Sequence, residues 1–258
     1  MKAHQRLIRE EILAREGAPD GVDLNLGRSR IERVSFQYAK QIILKYEWLG
    51  RMSATRHHYA LMDGTGWHPL GVVCIGGENC TGGDRTSQML GVKFAELAVL
   101  ARGACTHFAP MHANSKLVSG ALRLLRQDAP EKKVIIAYSD PRAGEIGTIY
   151  QACNWVCIGM TRGASFRMVN EASGHSFDSA KIIVTAQKLN VRWKVAYEMY
   201  LAQGYAKVPQ PPKWRYVTIL DRRDALLRAR VERMSVPYPK RDLEVAVETN
   251  FNPFAVGE

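Results

Sequence analysis

The stretch KVIIAYSDPRAGEIGTIYQACNWVCIG, from Lys133 to Gly159, contains a complete strand–turn–helix–strand pattern. Its β-branched run Val134–Ala137 predicts a buried strand that breaks at Ser139-Asp140-Pro141. A short helix is expected over Ile146–Cys153, followed by a second strand over Trp155–Ile158. Because α/β proteins bind ligands at the ends of their strands, we expect chemistry at the polar residues of these junctions. These residues are Ser139, Asp140, Tyr150, Gln151 and Asn154.

The flanking sequence predicts an α/β protein built on a mixed sheet. The turn Asp63-Gly64-Thr65-Gly66 is typical of an antiparallel hairpin, whereas the later part alternates strands with helices as parallel βαβ units do. The expected strands are Ile31–Phe36, His58–Met62, Pro69–Ile75, Val92–Leu100 and Trp214–Leu220. The expected helices are 1–17, Gln37–Leu49, one capped by Asn114 or Ser115, Val191–Gln203 and Asp221–Arg233.

Two local features of this pattern carry further expectations. The strand Val92–Leu100 has Glu96 inside it, and we expect that carboxylate either on an exposed face or buried for a reason. The Gly-rich loop Gly76–Gly83 lacks the Lys-Ser/Thr ending of a phosphate-binding loop and is followed by no clear helix. We therefore do not expect it to hold a phosphate.

The chain divides into four expected segments. Residues 1–30 form an N-terminal helix and arm, and residues 31–162 form the α/β core. Residues 163–212 are a basic helical insertion, and residues 213–258 supply a final strand, a helix and an arm that complete the core.

The charge of the chain favours a polyanionic partner. Its 36 Lys and Arg residues against 25 Asp and Glu give a net charge of +11, which suits nucleic acid, although a basic but inert surface is the alternative. Basic and aromatic residues interleave after residue 161. They either contact DNA through phosphates and bases, or form a solvent-exposed basic face above aromatic residues of the core. The helical spacing of Trp193, Tyr197 and Tyr200 favours buried core positions for these three aromatic residues. The expected DNA contacts are Arg162, Arg167, Lys194, Lys213 and Arg215.

Several classes of protein are excluded by composition. No apolar run approaches the ~20 residues of a membrane span, and the charged start is unlike a secretory signal. The five cysteines are odd in number and form no CxxC pair, which argues against a zinc site or a disulfide framework. We expect reduced thiols in a cytoplasmic protein, with Cys153 as a packed thiol rather than a nucleophile.

The residues alone leave the role of each site candidate open. Asp140 is placed to act as base or metal ligand, or to cap its own turn. Tyr150 suits a general acid or a core aromatic, and Glu47 matters only if its helix end faces the same cleft. The helix that begins near Asn114 offers its N-terminus to a pyrophosphate, or it is an ordinary capped helix.

The order of elements resembles the GNAT superfamily of acyltransferases. In that fold acyl-CoA lies between two splayed strands, here Val92–Leu100 and Lys133–Ser139, with its pyrophosphate at the N-terminus of the intervening helix. The segment IYQACNW places Tyr150 where the superfamily often carries a general acid. The resemblance implies acetyl-CoA or another acyl-CoA as cofactor. The implied contacts are Ala98, Val99, Leu100, Arg102, Asn114, Ser115, Leu117, Val118 and Ser119.

The stretch NSKLVSGALRLLRQ together with VIIAYSDPRAGEIGTIYQACNWVCIG is similar to the phage Mom family, and KWRYVTILD and PYPKR match more weakly. That family converts DNA adenine to its N6-carbamoylmethyl form and so shields phage DNA from restriction. The resemblance implies catalytic roles for Asp140, Tyr150, Ser139, Asn154 and Glu47. It also implies an iron ion near a His-Tyr pair on the first helix, with Glu47, Asp140 and Tyr150 as ligands here. Glu47-Trp48 stands in place of that pair, and tryptophan is not a metal ligand.

The resemblance implies a DNA-modifying enzyme that acts in the host cytoplasm on the exocyclic amine of a base in double-stranded DNA. Since that amine is engaged in base pairing, base flipping is expected. One alternative is a GNAT-type N-acetyltransferase acting on a small amine, a protein or RNA, for which the basic segment would be dispensable. Another is a non-catalytic DNA-binding protein, whose stability CoA would leave unchanged.

Overall fold

The computed structural model describes residues 2–76, 83–161, 166–221 and 223–240, with the side chains of residues 83–85 and 180 left out. The chain forms two compact units. One contains the described residues up to Gly159 together with those from Trp214 onward, and the other spans Met160–Lys213.

The first unit is built on a seven-stranded mixed sheet. Its strands are β1 (Arg30–Arg33), β2 (His57–Met62), β3 (Pro69–Gly76), β4 (Leu97–Cys105), β5 (Val134–Ser139), β6 (Val156–Met160) and β10 (Trp214–Ile219), in the spatial order β1-β2-β3-β4-β5-β10-β6. Its helices are α1 (His4–Glu16), α2 (Phe36–Tyr46), α3 (Gly83–Leu90), α4 (Ala113–Asp128), α5 (Thr148–Ala152) and α8 (Ala225–Arg233). Neighbouring strands from β1 to β4 are antiparallel, and β4 runs parallel to β5. The expected mixed α/β sheet is confirmed.

The sheet is covered on both faces. Helix α4 packs Leu117 and Leu125 on the face that also buries Trp155 and Tyr216. Helices α1 and α2 cover the β2–β4 end of the opposite face, where Ile43 is fully buried. Helices α3 and α8 join a further apolar cluster with the centre of the sheet. A sheet covered in this way keeps its strands dry, so polar groups that reach the interior are confined to strand ends.

Strands β4 and β5 are paired over only part of their length. The parallel ladder runs from Leu97 opposite Val134 to Leu100 opposite Ala137, while β4 continues to Cys105. On its other edge β4 carries an irregularity, because Leu100 pairs with Ile75 and Arg102 with Cys74. Ala101 is therefore an extra residue, and such a bulge bends its strand away from a neighbour. Beyond Leu100 and Ala137 both strands continue without pairing, and we call this unpaired stretch the β4–β5 gap.

Three expectations for this region are wrong. The segment Phe94–Glu96 is a 3-10 turn before β4, and Glu96 lies outside the strand with its carboxylate 2.9 Å from Lys133 Nζ. Helix α3 does follow the Gly-rich loop, of which residues 77–82 lie outside the described part. Helix α4 begins at Ala113 after His112 in the left-handed region (φ 68°), so neither Asn114 nor Ser115 caps it.

The second unit has a small sheet and two helices. Strands β7 (Phe166–Val169), β8 (Ser176–Asp178) and β9 (Ala206–Pro209) lie in the order β8-β7-β9, and helices α6 (Ala180–Leu189) and α7 (Trp193–Ala202) pack with them. Helix α7 was expected, whereas the strands and α6 were not. Tyr197 and Tyr200 pack against the unit's core, but Trp193 is exposed and stacks on Tyr197, with 5.1 Å between ring centroids.

Within the described ranges no helix is long and apolar enough to cross a lipid bilayer.

The β2–β3 turn depends on Asp63. This carboxylate is buried, and its oxygens accept hydrogen bonds from the backbone N–H groups of Asp23, Gly66, Trp67 and His68. Burial by itself raises the pKa of Asp63, but these hydrogen bonds outweigh it and hold the pKa at about 2.

We predict that Asp63→Asn lowers the free energy of unfolding by about 2 kcal/mol at pH 7. Because the folded-state pKa is depressed, this stabilisation is present above the ordinary value of 3.8 and is lost as the pH falls toward about 2. Urea unfolding of wild type and variant from pH 2 to 7 measures the difference. The exposed Asp20→Asn is the control, and a difference independent of pH would contradict the assignment.

Candidate active site

The gap between β4 and β5 is bordered by residues from both strands. On β4 the unpaired flank is Ala101–Gly103, and β5 ends at Tyr138-Ser139. Ala98 and Val99 lie below the gap, since they are buried opposite Ile135 and Ile136. Leu100 is the last paired residue of β4. Of the β4 residues expected to contact acyl-CoA, Arg102 therefore borders the gap, Leu100 lies at its base, and Ala98 and Val99 lie inside the paired ladder.

Helix α4 begins with its first turn uncapped by a side chain. Asn114 is exposed and its Oδ1 accepts a hydrogen bond from Cys105 Sγ, while Ser115 Oγ donates to the His112 carbonyl at 2.9 Å. Ser119 is exposed one turn later. Leu117 and Val118, by contrast, are buried in the core, so their side chains face away from any bound cofactor. The first-turn N–H groups, rather than these side chains, are the groups that suit an anion.

Asp140 lies directly after β5 and is buried. Its Oδ1 accepts a hydrogen bond from the backbone N–H of Arg142 at 3.1 Å, and its Oδ2 lies 3.0 Å from Arg142 Nη2. The turn-capping role considered for Asp140 is thus present in the structure. The guanidinium stabilises the carboxylate charge at the end of the strand.

Ser139, the residue before Asp140, has a buried hydroxyl group. The residue is 1% exposed, and within the described residues its Oγ has no hydrogen-bond partner. A buried unsatisfied hydroxyl costs about 1–3 kcal/mol. Such a group at the edge of the gap is suited to bond a ligand.

Tyr150 is held in α5 by an aromatic cluster. Its ring lies 5.1 Å from that of Trp155 and 5.3 Å from that of Tyr216. Gln151 fixes the helix by donating hydrogen bonds to the Ile146 carbonyl and to Tyr216. Burial raises the pKa of Tyr150, and the nearby charges of Glu145 and Glu47 raise it further. The phenol therefore keeps its proton at neutral pH and can serve as a proton donor.

Glu47 ends α2 and is buried, with its Oε2 accepting the Leu49 N–H at 3.0 Å. Burial raises the pKa of Glu47, and the charge of Arg102 opposes that shift. Arg102 Nε donates to the Arg51 carbonyl at 2.9 Å, so the segment that follows α2 lies beside the β4 end of the β4–β5 gap.

One residue near this region was missed by sequence reasoning. His4, in the first turn of α1, is 5% exposed and meets the Trp48 ring edge-on, with 5.8 Å between centroids. Burial lowers the pKa of His4, while the charge of Asp140 acts in the opposite direction. No signal in the sequence connects residue 4 with residues 48 and 140, since α1 reads only as an amphipathic appendage.

Asn154 lies apart from these groups. It is exposed, its φ of 57° places it in a turn, and its side chain lines a groove of about 280 Å³ beside Arg228 of α8. Tyr150 instead packs toward the α4 face of the sheet. Asn154 and Tyr150 are therefore close in sequence but lie toward opposite faces of the sheet.

The described residues do not fit an iron site. No group of three or more His, Cys, Asp or Glu side chains among them has the arrangement of metal ligands. Asp140 is bonded to Arg142, and Trp48 offers no ligand atom. The donor set implied by the resemblance is therefore not assembled, and no chemistry is assigned here to iron.

The basic residues expected to contact DNA differ in how far their charges are engaged. Arg162 lies outside the described residues. Arg167 Nη2 donates to Ser176 Oγ at 2.6 Å, and Arg215 Nη2 donates to the Ile158 carbonyl at 3.2 Å. Lys213 is half-buried. Lys194 has a side chain that is 82% exposed and lies 3.9 Å from Glu198, so its charge is the most accessible of the four described.

The chain is similar to one protein family and to several solved structures. The Mom protein family model matches residues 28–240. A malonyl-CoA decarboxylase from Agrobacterium vitis is 16% identical over 46% of this chain and 38% of its own length, with a TM-score of 0.33. A ribosomal-protein-S5-alanine acetyltransferase from Vibrio fischeri is 10% identical over 76% of this chain and 94% of its own, with a TM-score of 0.41. The match thus spans well under half of the decarboxylase. No curated protein sequence matches the chain.

The raised pKa of Glu47 predicts a pH-dependent stability. A carboxyl group with a raised folded-state pKa favours folding below its ordinary value of 4.5, and this contribution is lost as the pH rises above it. Glu47→Gln should therefore become more stable relative to wild type between pH 4 and 8. Thermal unfolding across this range measures the difference. Glu171→Gln, at an exposed carboxylate, is the control. A difference between Glu47→Gln and wild type that stays constant with pH would contradict a raised pKa of Glu47.

Proposed function

The chain belongs to the Mom protein family, and we propose on that basis that it is a transferase that modifies DNA. The reaction attaches a group to the exocyclic amine of a base, adenine being the expected one, and so protects DNA from restriction. The group comes from an acyl-CoA or a related donor bound in the β4–β5 gap.

The observation that carries this proposal is the end of the ladder at Leu100 opposite Ala137. Beyond it, Ala101–Gly103 no longer pairs with β5. The carbonyls of Ala101 and Gly103 already accept hydrogen bonds from Arg102 and Gln5, so we propose that the amide groups of a pantetheine chain bond the backbone N–H groups of this stretch. The first turn of α4, at Asn114 and Ser115, then meets the pyrophosphate through backbone N–H groups and the helix dipole. The buried Ser139 hydroxyl supplies a hydrogen-bond donor or acceptor between the strands.

The groups around the gap suit transfer to a weakly basic amine. Attack by the amine nitrogen on an acyl carbon requires that the nitrogen lose a proton and that the departing sulfur gain one. Tyr150, which keeps its proton because of burial, is the donor to the leaving thiolate. Asp140 and Glu47 supply carboxylates on the side from which the amine loses its proton.

Double-stranded DNA is the proposed substrate because of the charge of the chain. A net charge of +11 supports binding to phosphates, with Lys194 as an accessible contact in the second unit. The target base must leave the helical stack to expose its amine, at a cost of a few kcal/mol.

The first test is mass spectrometry of nucleosides from plasmid DNA coexpressed with the protein. Wild type should give a modified nucleoside, and Tyr150→Phe and Asp140→Ala should reduce its rate of formation by about a hundredfold or more. Both variants should keep wild-type affinity for DNA in a gel-shift assay, since neither residue is proposed to contact phosphates. Tyr38→Phe removes a tyrosine hydroxyl near the N-terminal end of α2, outside the proposed site, and is the matched control.

If plasmid DNA coexpressed with the wild-type protein contained no modified nucleoside, DNA modification would be refuted. If acetyl-CoA still bound in that case, an N-acetyltransferase acting on another amine would be the better assignment.

The second test concerns the cofactor. Acetyl-CoA at 100 times its Kd should stabilise the wild-type protein by about 2.7 kcal/mol in thermal unfolding. Ser139→Ala should leave the free protein as stable as wild type or more so, because the hydroxyl has no partner to lose within the described residues. The same variant should reduce the stabilisation by acetyl-CoA. A loss of intrinsic stability with full acetyl-CoA binding would show that Ser139 is structural.

A further inference from the structure

Residues 235–240, here called the strap, follow α8 and run along β6, the last strand in the order of the seven-stranded sheet. The Val236 N–H donates to the Cys157 carbonyl at 2.9 Å, and Tyr238 Oη donates to the Trp155 carbonyl at 2.8 Å. Two prolines in the strap have no N–H to donate, so the strap cannot continue as a regular strand. It is therefore tied to β6 at two separate points.

The side chain of Gln151 joins the strap to the turn that begins α5. Its Nε2 lies 3.3 Å from the Pro239 carbonyl oxygen and 2.8 Å from the Ile146 carbonyl oxygen. It also donates to Tyr216 Oη at 3.1 Å, and that hydroxyl donates to the same Ile146 carbonyl at 2.5 Å. Gly147 permits this arrangement, because a Cβ at that position would overlap the Tyr216 ring. One amide thus links the strap, β10 and the turn before α5.

Helix α5 depends on these contacts for its position. It has only five residues, and its N-cap, Gly147, lies in the left-handed region (φ 75°) and supplies no side-chain cap. So short a helix is not stable by itself in water. Tyr238 of the strap extends the aromatic cluster, with 6.3 Å between its ring centroid and that of Tyr216. The placement of Tyr150 on α5 therefore follows from tertiary bonds to the neighbouring Gln151 and from ring packing.

The end of α5 also contacts the first turns of α4, where the pyrophosphate of the cofactor is proposed to bind. Cys153 Sγ lies 3.8 Å from the Ser115 carbonyl oxygen and 3.8 Å from Ser119 Oγ. Helix α5 is thus held between the strap and the proposed cofactor site. A displacement of about 1 Å at a reacting group can cost a hundredfold in rate, so the bonds that fix α5 bear on the chemistry of Tyr150.

We infer that Gln151, held by the strap, is a positioning residue for the transfer reaction. The inference rests on the proposed function. As the new N–C bond forms, the C–S bond of the donor breaks, and the thiolate takes the proton of Tyr150. The proton lost by the amine goes to a carboxylate at the β4–β5 gap. Gln151 gains and loses no proton, and it acts by holding the Tyr150 hydroxyl in the direction of the departing sulfur.

The test uses the full chain and measures the rate at which modified nucleoside appears in coexpressed plasmid DNA, per amount of soluble protein. Gln151→Met keeps the length of the side chain but removes the amide, and the rate should fall about tenfold or more. Tyr238→Phe releases one anchor of the strap and should lower the rate about threefold. Tyr59→Phe is the matched control, since it loses a tyrosine hydrogen bond to Asp128 on β2, toward the other end of the sheet, and should match wild type.

A double variant separates positioning from packing. Tyr150→Phe with Gln151→Met should be no slower than Tyr150→Phe alone, because a residue that acts through the Tyr150 hydroxyl has nothing to position once that hydroxyl is gone. Gln151→Met and Tyr238→Phe should keep the thermal stabilisation by acetyl-CoA and the affinity for DNA. If Gln151→Met fails to fold, Tyr238→Phe carries the same comparison.

Each adverse result has a distinct meaning. A wild-type rate in Gln151→Met would show that the amide only supports the fold, and an equal loss in Tyr59→Phe and Tyr238→Phe would show an effect of stability alone. A double variant slower than Tyr150→Phe, or a loss of acetyl-CoA binding, would show that Gln151 acts by another route. Any of these results overturns the inference and leaves the proposed function standing. A wild-type chain that forms no modified nucleoside overturns the proposed function, and this role for Gln151 with it.

Discussion

The ladder between β4 and β5 stops after four residue pairs, and the rest of the site depends on that stop. Ala101 is an extra residue of β4 in its pairing with β3, and a bulge of this kind bends the strand. Beyond Leu100 the backbone of β4 no longer pairs with β5. Unpaired backbone groups inside a protein must find other partners. At the β4–β5 gap the Gly103 carbonyl accepts from Gln5, and Cys105 at the end of β4 donates to Asn114 in the first turn of α4.

The packing of the helices keeps this gap in one geometry. Helix α4 and the aromatic cluster around Tyr150 hold one face, with Trp155 and Tyr216 buried beneath it. On the other face α1 and α2 pack against each other, and an ion pair of 2.6 Å joins Glu16 to Lys45. That pair is exposed and contributes little by itself, so apolar burial is what fixes the two helices.

The buried polar groups Ser139, Glu47 and His4 lower the stability of the fold. Ser139 buries a hydroxyl without a partner in the described chain, Glu47 buries a carboxyl group, and His4 buries an imidazole. Each would be replaced by an apolar residue of similar size if packing alone were selected. Buried polar groups at the ends of β5, α2 and α1, in a chain whose strands bury mostly apolar side chains, are the pattern expected where local stability has been exchanged for chemistry.

The sequence by itself determined the local elements and their class. A continuous β-branched run marked β5, the turn Asp63-Gly64-Thr65-Gly66 marked the β2–β3 hairpin, and the Asp-Pro break after β5 located Asp140. Only the tertiary structure decided which groups meet. The bulge at Ala101, the 3-10 turn that removes Glu96 from β4, and the approach of His4 to Trp48 depend on contacts between residues far apart in sequence. Hydrophobic periodicity reports which face of an element is buried, but not what it is buried against.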